Sequence, residues 1–254
     1  MDRESSYVQV HPLMTAVVCQ LLNGKIEAGK ADMHALVCGA LTANVGMFHL
    51  MDELAEQNGP LTDEQRVKVN AHPARSCELL KISGIDESLI LDVVLKHHEK
   101  LVGSGYPNGI SELTPISSVL SLGDIYSAML LPRKYRTGIY GKRAIQRVFS
   151  QRGEKIDSKL VSLFIKEVGI YPPGMLVKLS NKETAMVVRR GLSRADRPIV
   201  MALFEATGDQ LPAPIKRDTT VVDYMITETL CPLDELPFDF ATIWGTDNQV
   251  DSDS

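Results

Sequence analysis

The chain has 254 residues, of which 44% are hydrophobic, and it carries a formal net charge of −5 with four cysteines. This size supports one substantial core and a small second unit. The cysteines are far apart without Cys-x-x-Cys spacing, so they indicate neither a disulfide framework nor a thiolate zinc site. No uninterrupted apolar run reaches the roughly 18 residues of a membrane span, and the polar N-terminus is unlike a signal peptide. We therefore expect a cytoplasmic protein without membrane association.

Charge is distributed unevenly along the chain. After Arg217 there is no lysine or arginine but there are nine acids, so residues 1–217 carry a net charge of +4. This small excess is compatible with an anionic small ligand, but it does not indicate nucleic-acid binding. The acidic segment 231–254 is predicted to be a solvated tail that is partly disordered.

The first two thirds of the chain, residues 10–168, show successive amphipathic helical patterns. Residues able to cap these helices stand at Thr62, Asp86, Thr114 and Asp157. Thr62 with Gln65 matches a capping box, and Thr114 precedes a proline in the first helical turn. We therefore predict a helical domain over residues 1–170.

Beyond residue 173 the pattern of apolar residues changes to alternation. The alternating or β-branched runs cover residues 175–179, 185–189 and 199–204, which predicts three short strands. A small β-rich extension is therefore expected over residues 171–230, followed by the acidic tail.

Four histidines and one acid recur in the helical part in an order that indicates a metal site: His11, His72, His97, His98 and Asp124. Neutral imidazoles and a carboxylate suit first-row metals, and two such metals suit phosphodiester hydrolysis. A single histidine is more often a surface or hydrogen-bonded residue than a ligand. The adjacent pair favours a ligand role because the loop Gly103, Ser104, Gly105, Tyr106 and Pro107 follows it closely.

With these motifs the sequence resembles the HD-GYP family, bacterial metal-dependent phosphodiesterases that hydrolyse cyclic di-GMP. The segments that carry the resemblance are Leu61-Thr62 leading to His72-Pro73, His97-His98-Glu99 with the Gly-Ser-Gly-Tyr-Pro loop, Leu122-Gly123-Asp124, and Arg133-Lys134-Tyr135-Arg136. The resemblance implies a mainly α fold, an HD-domain-like helical bundle with a small C-terminal β appendage. It also implies that the four histidines and Asp124 are metal ligands and that Arg133 and Arg136 contact phosphate. For Tyr106 two roles stay open, stacking on a guanine base as part of the ligand site or packing on its own loop.

The family's Leu-His-Asp-Ile-Gly-Lys motif is altered in this chain. Ala43 stands in place of a metal-ligating histidine, Asn44 in place of the aspartate that bridges two metals, and Met47 in place of a lysine near the substrate. Tyr7 replaces a glutamate four residues before His11. A neutral amide compensates far less of the repulsion between two dications than a carboxylate does. The ordinary dinuclear centre is therefore not expected.

Three functions remain open at this point. The first is a catalytically inactive domain that acts as a cyclic-di-GMP-linked signalling, ligand-binding or interaction module, with loop residues 103–107 as a docking surface for a diguanylate cyclase domain or another signalling protein. The second is a weak phosphodiesterase with one zinc, manganese or iron ion on His72, His97 and His98, with Asn44 as a further candidate ligand. The third is a metal-free helical scaffold in which these histidines are hydrogen-bonded core groups. The sequence makes no prediction of the oligomeric state.

Overall fold

The computed structural model describes residues 7–22, 24–26, 29–134, 138–139, 141–191, 194, 196–230 and 236–244. The chain divides into two compact units, one comprising Met1–Ile139 with Arg143–Glu167 and the other Tyr140–Lys142 with Val168–Ser254. The mainly α fold with a small C-terminal β unit is confirmed. The predicted domain boundaries remain predictions.

The described helices of the N-terminal part are α1 (Tyr7–Leu22), α2 (Lys30–Thr42), α3 (Phe48–Glu56), α4 (Asp63–Ile82), α5 (Ser88–Lys96), α6 (Pro115–Leu130), α7 (Gly141–Ser150) and α8 (Ser158–Val168). A 3-10 turn, Val45–Met47, joins α2 to α3. The most buried helix is α6, which packs against α1, α2 and α5. Because α6 lies among the other helices, a polar residue on it is surrounded by protein.

Local sequence signals explain where several of these helices begin. The Thr62 hydroxyl accepts the Gln65 N–H at 3.2 Å, and the Gln65 side chain accepts the Thr62 N–H at 3.0 Å, which confirms the capping box. Thr114 and Asp157 cap α6 and α8 as predicted. The Asp86 prediction was wrong, because Glu87 occupies the N-cap position of α5 and no side chain makes a capping bond there.

The sequence was expected to contain no stretch long and apolar enough to span a membrane, and Asp32–Glu56 corrects this expectation. Within the described residues it is long and apolar enough, by length and composition, to cross a membrane. It consists of α2, the 3-10 turn and α3, and its side chains Leu36, Ala40 and Leu50 are buried in the helical unit. We therefore interpret it as part of the core, since buried helices of folded domains share this composition.

In the described residues, the second unit contains one antiparallel sheet. Its strands are β1 (Leu176–Leu179), β2 (Thr184–Arg189), β3 (Ile199–Phe204), β4 (Gln210–Asp218) and β5 (Ile226–Thr229), in the order β4-β3-β2-β1-β5. The three predicted strands are β1 to β3, and pairings such as Leu176 with Met186 set their register. The edge strands β4 and β5 were not predicted.

Both faces of this sheet are covered. Val177, Val187 and Val200 are fully buried on one face. On the other, Leu203 packs with Ile243 of a short helix, α9 (Phe240–Trp244). Residues 236–244, inside the segment predicted to be a tail, are therefore folded, because their apolar side chains cover a sheet face.

Candidate metal centre and cleft

Three histidines from two neighbouring helices converge on one point. His72 lies on α4, and His97 and His98 follow the last turn of α5. One ring nitrogen from each lies within 4.8 Å of the others. His72 and His97 are fully buried, whereas the His98 side chain is 19% exposed. This group could hold a metal ion with one side facing the adjoining cleft.

The hydrogen bonds of His72 and His97 define their protonation. Each Nδ1 lies 2.6 Å from a backbone carbonyl oxygen, that of Val69 for His72 and that of Val94 for His97. Because a carbonyl can only accept, the proton of each neutral ring is on Nδ1. The two Nε2 atoms therefore face each other with their lone pairs at a separation of 3.1 Å.

A metal ion would fit between these two nitrogens. Two lone pairs at such a distance repel each other unless a positive group lies between them. Metal–nitrogen bonds of about 2.0–2.1 Å place two adjacent ligand nitrogens roughly 3 Å apart. Ligating histidines also commonly donate their second ring N–H to a backbone carbonyl. His72 and His97 thus fit two ligands of one ion.

Burial keeps these imidazoles neutral. It is the main cause that lowers the pKa of His72 to about 3, and repulsion from His97 contributes. Burial also lowers the pKa of His97 and, together with the charge of His97, that of His98. Neutral imidazole is the form that binds metals.

Asp124 on α6 connects this triad to the other predicted residues. Its Oδ1 accepts a hydrogen bond from Asn44 Nδ2 at 3.2 Å and lies 3.6 Å from His11 Nε2, while its Oδ2 lies 4.0 Å from His98 Nε2. Burial alone would raise the pKa of Asp124, but electrostatic interaction with the imidazoles of His11, His98 and His97 and the Asn44 hydrogen bond outweigh it and lower the pKa. The structure therefore brings together all five residues that the sequence predicted as ligands.

The turn after α2 presents the altered motif to this site. Ala43 and Asn44 are buried, with 1% and 6% exposure. Asn44 gives its amide N–H to Asp124, so its Oδ1 points elsewhere, and that oxygen has no partner among the described residues. An N–H cannot ligate a cation. The residues fit one metal on the triad, but they do not fit a second metal bridged through position 44.

A Ser76 hydroxyl holds this turn in place. It donates to the Ala43 carbonyl at 2.7 Å and accepts the Gly46 N–H at 2.9 Å. A Cβ on Gly46 would come within 2.6 Å of the His72 carbonyl oxygen, so only glycine permits this close packing on α4. Sequence reasoning missed Ser76, which lies one helical turn after His72.

A cleft of about 490 Å³ adjoins the site. His11, His98 and Asp124 line one end of it. Its apolar wall comprises Met47, Met51, Leu54, Leu61 and Val69. Arg66 and Arg133 add positive charge, which makes the cleft suitable for a ligand with both anionic and apolar parts. The sequence analysis did not predict Arg66 as a cleft residue. Its position on the same helix as His72 could have indicated that it lies near the site.

Arg133 is oriented by Tyr7. Its Nη2 donates to the Tyr7 hydroxyl at 2.7 Å, and its guanidinium carbon lies 4.8 Å from the centre of the Tyr7 ring. The same ring stacks on His11 with centroids 5.4 Å apart. Arg136, the second predicted phosphate contact, lies outside the described residues.

The arginines that follow α6 in the chain do not all face one ligand. Arg143 and Arg147 line a separate, shallow surface cavity on α7, whereas Arg133 lines the cleft. The arginines near the end of α6 therefore belong to at least two surfaces.

The loop after the histidine pair closes over one imidazole. Gly103 has a φ of +69°, and the Tyr106 ring lies 4.7 Å from the His98 ring. Tyr106 also lines the cleft. Glu99, to which the sequence reading gave no role, is buried beneath this loop.

A family model for the HD domain matches residues 4–160, which is more than half of the chain. The chain therefore belongs to the HD domain family. This confirms the predicted family and leaves the loss of hydrolysis as a prediction.

Curated relatives with this similarity are phosphodiesterases. The chain is 28% identical over 217 residues to the cyclic di-GMP phosphodiesterase PA4108 of Pseudomonas aeruginosa, which covers 84% of this chain and 52% of the relative. It is 25% identical over 175 residues to the 3'3'-cGAMP-specific phosphodiesterase 3 of Vibrio cholerae, which covers 68% of this chain and 38% of the relative. The chain thus spans about half the length, or less, of these relatives.

The fold is similar to that of Bd1817, an HDG"Y"P protein from Bdellovibrio bacteriovorus. The TM-score is 0.54 at 14% identity, covering 65% of this chain and 54% of that chain. This likeness supports the helical architecture.

Proposed function

We propose that the chain is an HD-GYP-type domain that binds one divalent cation on His72, His97 and His98 and a cyclic dinucleotide in the adjoining cleft, without two-metal hydrolysis. The observation that best supports this proposal is the hydrogen bond that the Asn44 amide donates to Asp124. A dinuclear centre needs an anionic oxygen at this point to hold two dications together. An N–H there supplies positive rather than negative potential.

The same hydrogen bond supports the absence of a second ion in another way. Asp124 is almost completely buried, and a buried carboxylate requires compensation by donors or cations. Asn44 supplies one donor to Oδ1, and His11 Nε2 lies 3.6 Å from the same oxygen. Part of that compensation is therefore available without a second ion.

The cleft supports a phosphate-containing ligand with an apolar or aromatic portion. Arg133 offers a planar guanidinium, which suits phosphate oxygens. Tyr106 offers a ring face, and Met47 and Met51 offer apolar surface. Relatives named for cyclic di-GMP and cGAMP favour a cyclic dinucleotide. In this proposal the domain acts as a signalling module, and the loop over residues 103–107 is a candidate surface for a diguanylate cyclase domain or other signalling partner.

A weak phosphodiesterase is the second candidate. It is favoured by the triad, whose geometry fits one ion although the His-Asp motif is altered. A bound cation would supply Lewis-acid polarisation of a phosphate oxygen. Arg133 would orient the phosphate, and Asp124 would accept a hydrogen bond from a water.

Measurements on one purified sample separate these functions. We expect about one equivalent of zinc, manganese or iron per chain, saturable binding of cyclic di-GMP or 3'3'-cGAMP in calorimetry, and no linear dinucleotide or mononucleotide product with added Mn²⁺ or Fe²⁺. Robust metal-dependent turnover that His97→Ala abolishes would establish the enzyme instead. Neither metal nor nucleotide binding would support the metal-free scaffold. His49→Ala is the matched control, since His49 is exposed and lies outside the triad.

A further inference from the structure

Glu99 is a buried carboxylate surrounded by backbone donors. It is 1% exposed. Its Oε1 accepts the N–H groups of Asn108 at 2.7 Å and Gly109 at 3.1 Å, and its Oε2 accepts the Ile110 N–H at 3.1 Å. Three charge-assisted bonds from consecutive residues hold this end of the loop to the end of α5.

The middle of the loop also packs directly on the histidine pair. The Tyr106 N–H donates to the His98 carbonyl at 3.2 Å. A Cβ on Gly105 would come within 2.6 Å of the same carbonyl and would also clash with the Glu99 Cα. Glycine at this position therefore lets the loop touch the backbone of the ligand segment itself.

His98 differs from the other two histidines in how its ring is oriented. His72 and His97 each have a backbone carbonyl at 2.6 Å from Nδ1. Among the described contacts His98 has no such carbonyl. Its ring packs between the His97 ring at 4.1 Å and the Tyr106 ring at 4.7 Å between centroids, and its Nε2 lies 4.0 Å from Asp124 Oδ2. Ring packing, to which the loop contributes Tyr106, thus takes the place of the hydrogen bond that orients the other two imidazoles.

We propose that Glu99 is a positioning residue that acts on the metal site through Tyr106. It anchors residues 108–110, the anchored loop places the Tyr106 ring on His98, and this contact directs His98 toward the point shared with His72 and His97. The link to metal affinity rests on the proposed single-cation site. The link to His98 orientation rests only on the protein contacts above.

The metal-dependent test is a double-mutant cycle with Co²⁺ as the probe. Glu99→Gln keeps the side-chain shape but turns one oxygen into an NH₂ that faces backbone donors. We expect Glu99→Gln and Tyr106→Ala each to weaken Co²⁺ binding by about tenfold, the lower end of the roughly 10- to 100-fold range found for groups that orient metal ligands. Because both act through one contact, the double variant should lose about as much as either single variant. Glu112→Gln, an exposed acid after the same loop, should bind Co²⁺ normally.

A second readout needs no metal. In the apoprotein, Glu99→Gln should speed hydrogen exchange of the amides at 108–110 and shift the His98 ring resonances in NMR, and Tyr106→Ala should shift the same resonances. Unchanged His98 resonances in Glu99→Gln would overturn the positioning role, whether or not the wild type binds Co²⁺. Effects on Co²⁺ affinity that multiply in the double variant to about 100-fold would overturn it too. A wild type that binds no Co²⁺ but shows the His98 shifts contradicts the proposed metal site and leaves the positioning role standing.

Discussion

Asn44 and Asp124 are 80 residues apart in sequence and share a buried hydrogen bond of 3.2 Å, with the amide as donor. This bond is the basis of the proposed single-cation site. It gives Asp124 one donor in place of a cation, and it directs the N–H of residue 44, which cannot be a ligand, toward the carboxylate. The triad beyond Asp124 is left as the part of the site that fits an ion.

Asn44→Asp should destabilise the metal-free protein and make it more responsive to metals. Without the amide donor, two buried carboxylates face each other, which we expect to cost about 2 to 4 kcal/mol in EDTA. Added Mn²⁺ should raise the free energy of unfolding of the variant by more than it raises that of the wild type, because the variant has a second anionic ligand. Urea unfolding with and without Mn²⁺ measures both effects.

The control for this substitution is Asn70→Asp, which adds the same charge at an exposed position of α4. It should change the free energy of unfolding by less than about 0.5 kcal/mol. Equal stability of Asn44→Asp and wild type in EDTA would contradict the assigned role of the amide.

His97→Ala should abolish stabilisation by metal. A ligand present at 100 times its dissociation constant stabilises a folded protein by about 2.7 kcal/mol, so zinc should raise the melting temperature of the wild type. The variant lacks one of the two nitrogens that face each other at 3.1 Å, and its melting temperature should be the same in zinc and in EDTA. His49→Ala should respond like the wild type; a full zinc response in His97→Ala would show that the ion binds elsewhere.

Tyr7→Phe should weaken nucleotide binding less than Arg133→Ala does. The phenylalanine keeps the ring contact with His11 but removes the oxygen that accepts the Arg133 N–H. We expect a loss of up to about tenfold for Tyr7→Phe and about 10- to 100-fold for Arg133→Ala. Calorimetry with cyclic di-GMP provides the measurement. The control is Lys134→Ala, because Lys134 is an exposed neighbour of Arg133 that pairs with Glu56. If Lys134→Ala weakened nucleotide binding as much as Arg133→Ala, the cause would be a general charge effect.

The second unit should lose stability at acidic pH through one ion pair. Arg217 Nε and Nη2 donate to the Glu183 carboxylate at 2.8 and 2.7 Å, and these bonds are the main cause that lowers the Glu183 pKa. A depressed folded-state pKa stabilises the protein above the ordinary glutamate value of about 4.3, and this stabilisation is lost as the pH falls through the folded-state value.

Glu183→Gln should therefore reduce stability by about 1 to 2 kcal/mol at pH 7 and by much less near pH 3. The chain has one tryptophan, Trp244 in α9 of this unit, so its fluorescence in urea reports the relevant transition. Glu205→Gln, exposed in the same unit, should show no such difference between the two pH values. A pH-independent effect of Glu183→Gln would exclude the ion pair as its cause.

The sequence predicted those parts of the fold that depend on local signals. Thr62 and Thr114 could be identified as caps because the bonding groups lie within three residues of each other. The strands β4 and β5 could not be identified, since most of their side chains are exposed and Pro212 and Pro214 interrupt β4. Proline is tolerated there because β4 is an edge strand.

The sequence predicted those site residues whose side chains are themselves candidate metal ligands. His72, His97 and Asp124 could be chosen from motif order alone. Ser76 and Glu99 could not, because both act on backbone groups whose positions follow only from the folded chain. The orientation of the Asn44 amide, on which the proposed single-cation site rests, also depends on packing.

The two hydrogen bonds of the Ser76 hydroxyl make the shape of the turn after α2 independent of a bound ion. Because a serine side chain rather than an ion holds the carbonyl of Ala43 and the N–H of Gly46, the backbone of the altered motif keeps its shape when the motif binds nothing. Substitutions at positions 43 and 44 can therefore change what the site binds without removing the contacts that shape this turn.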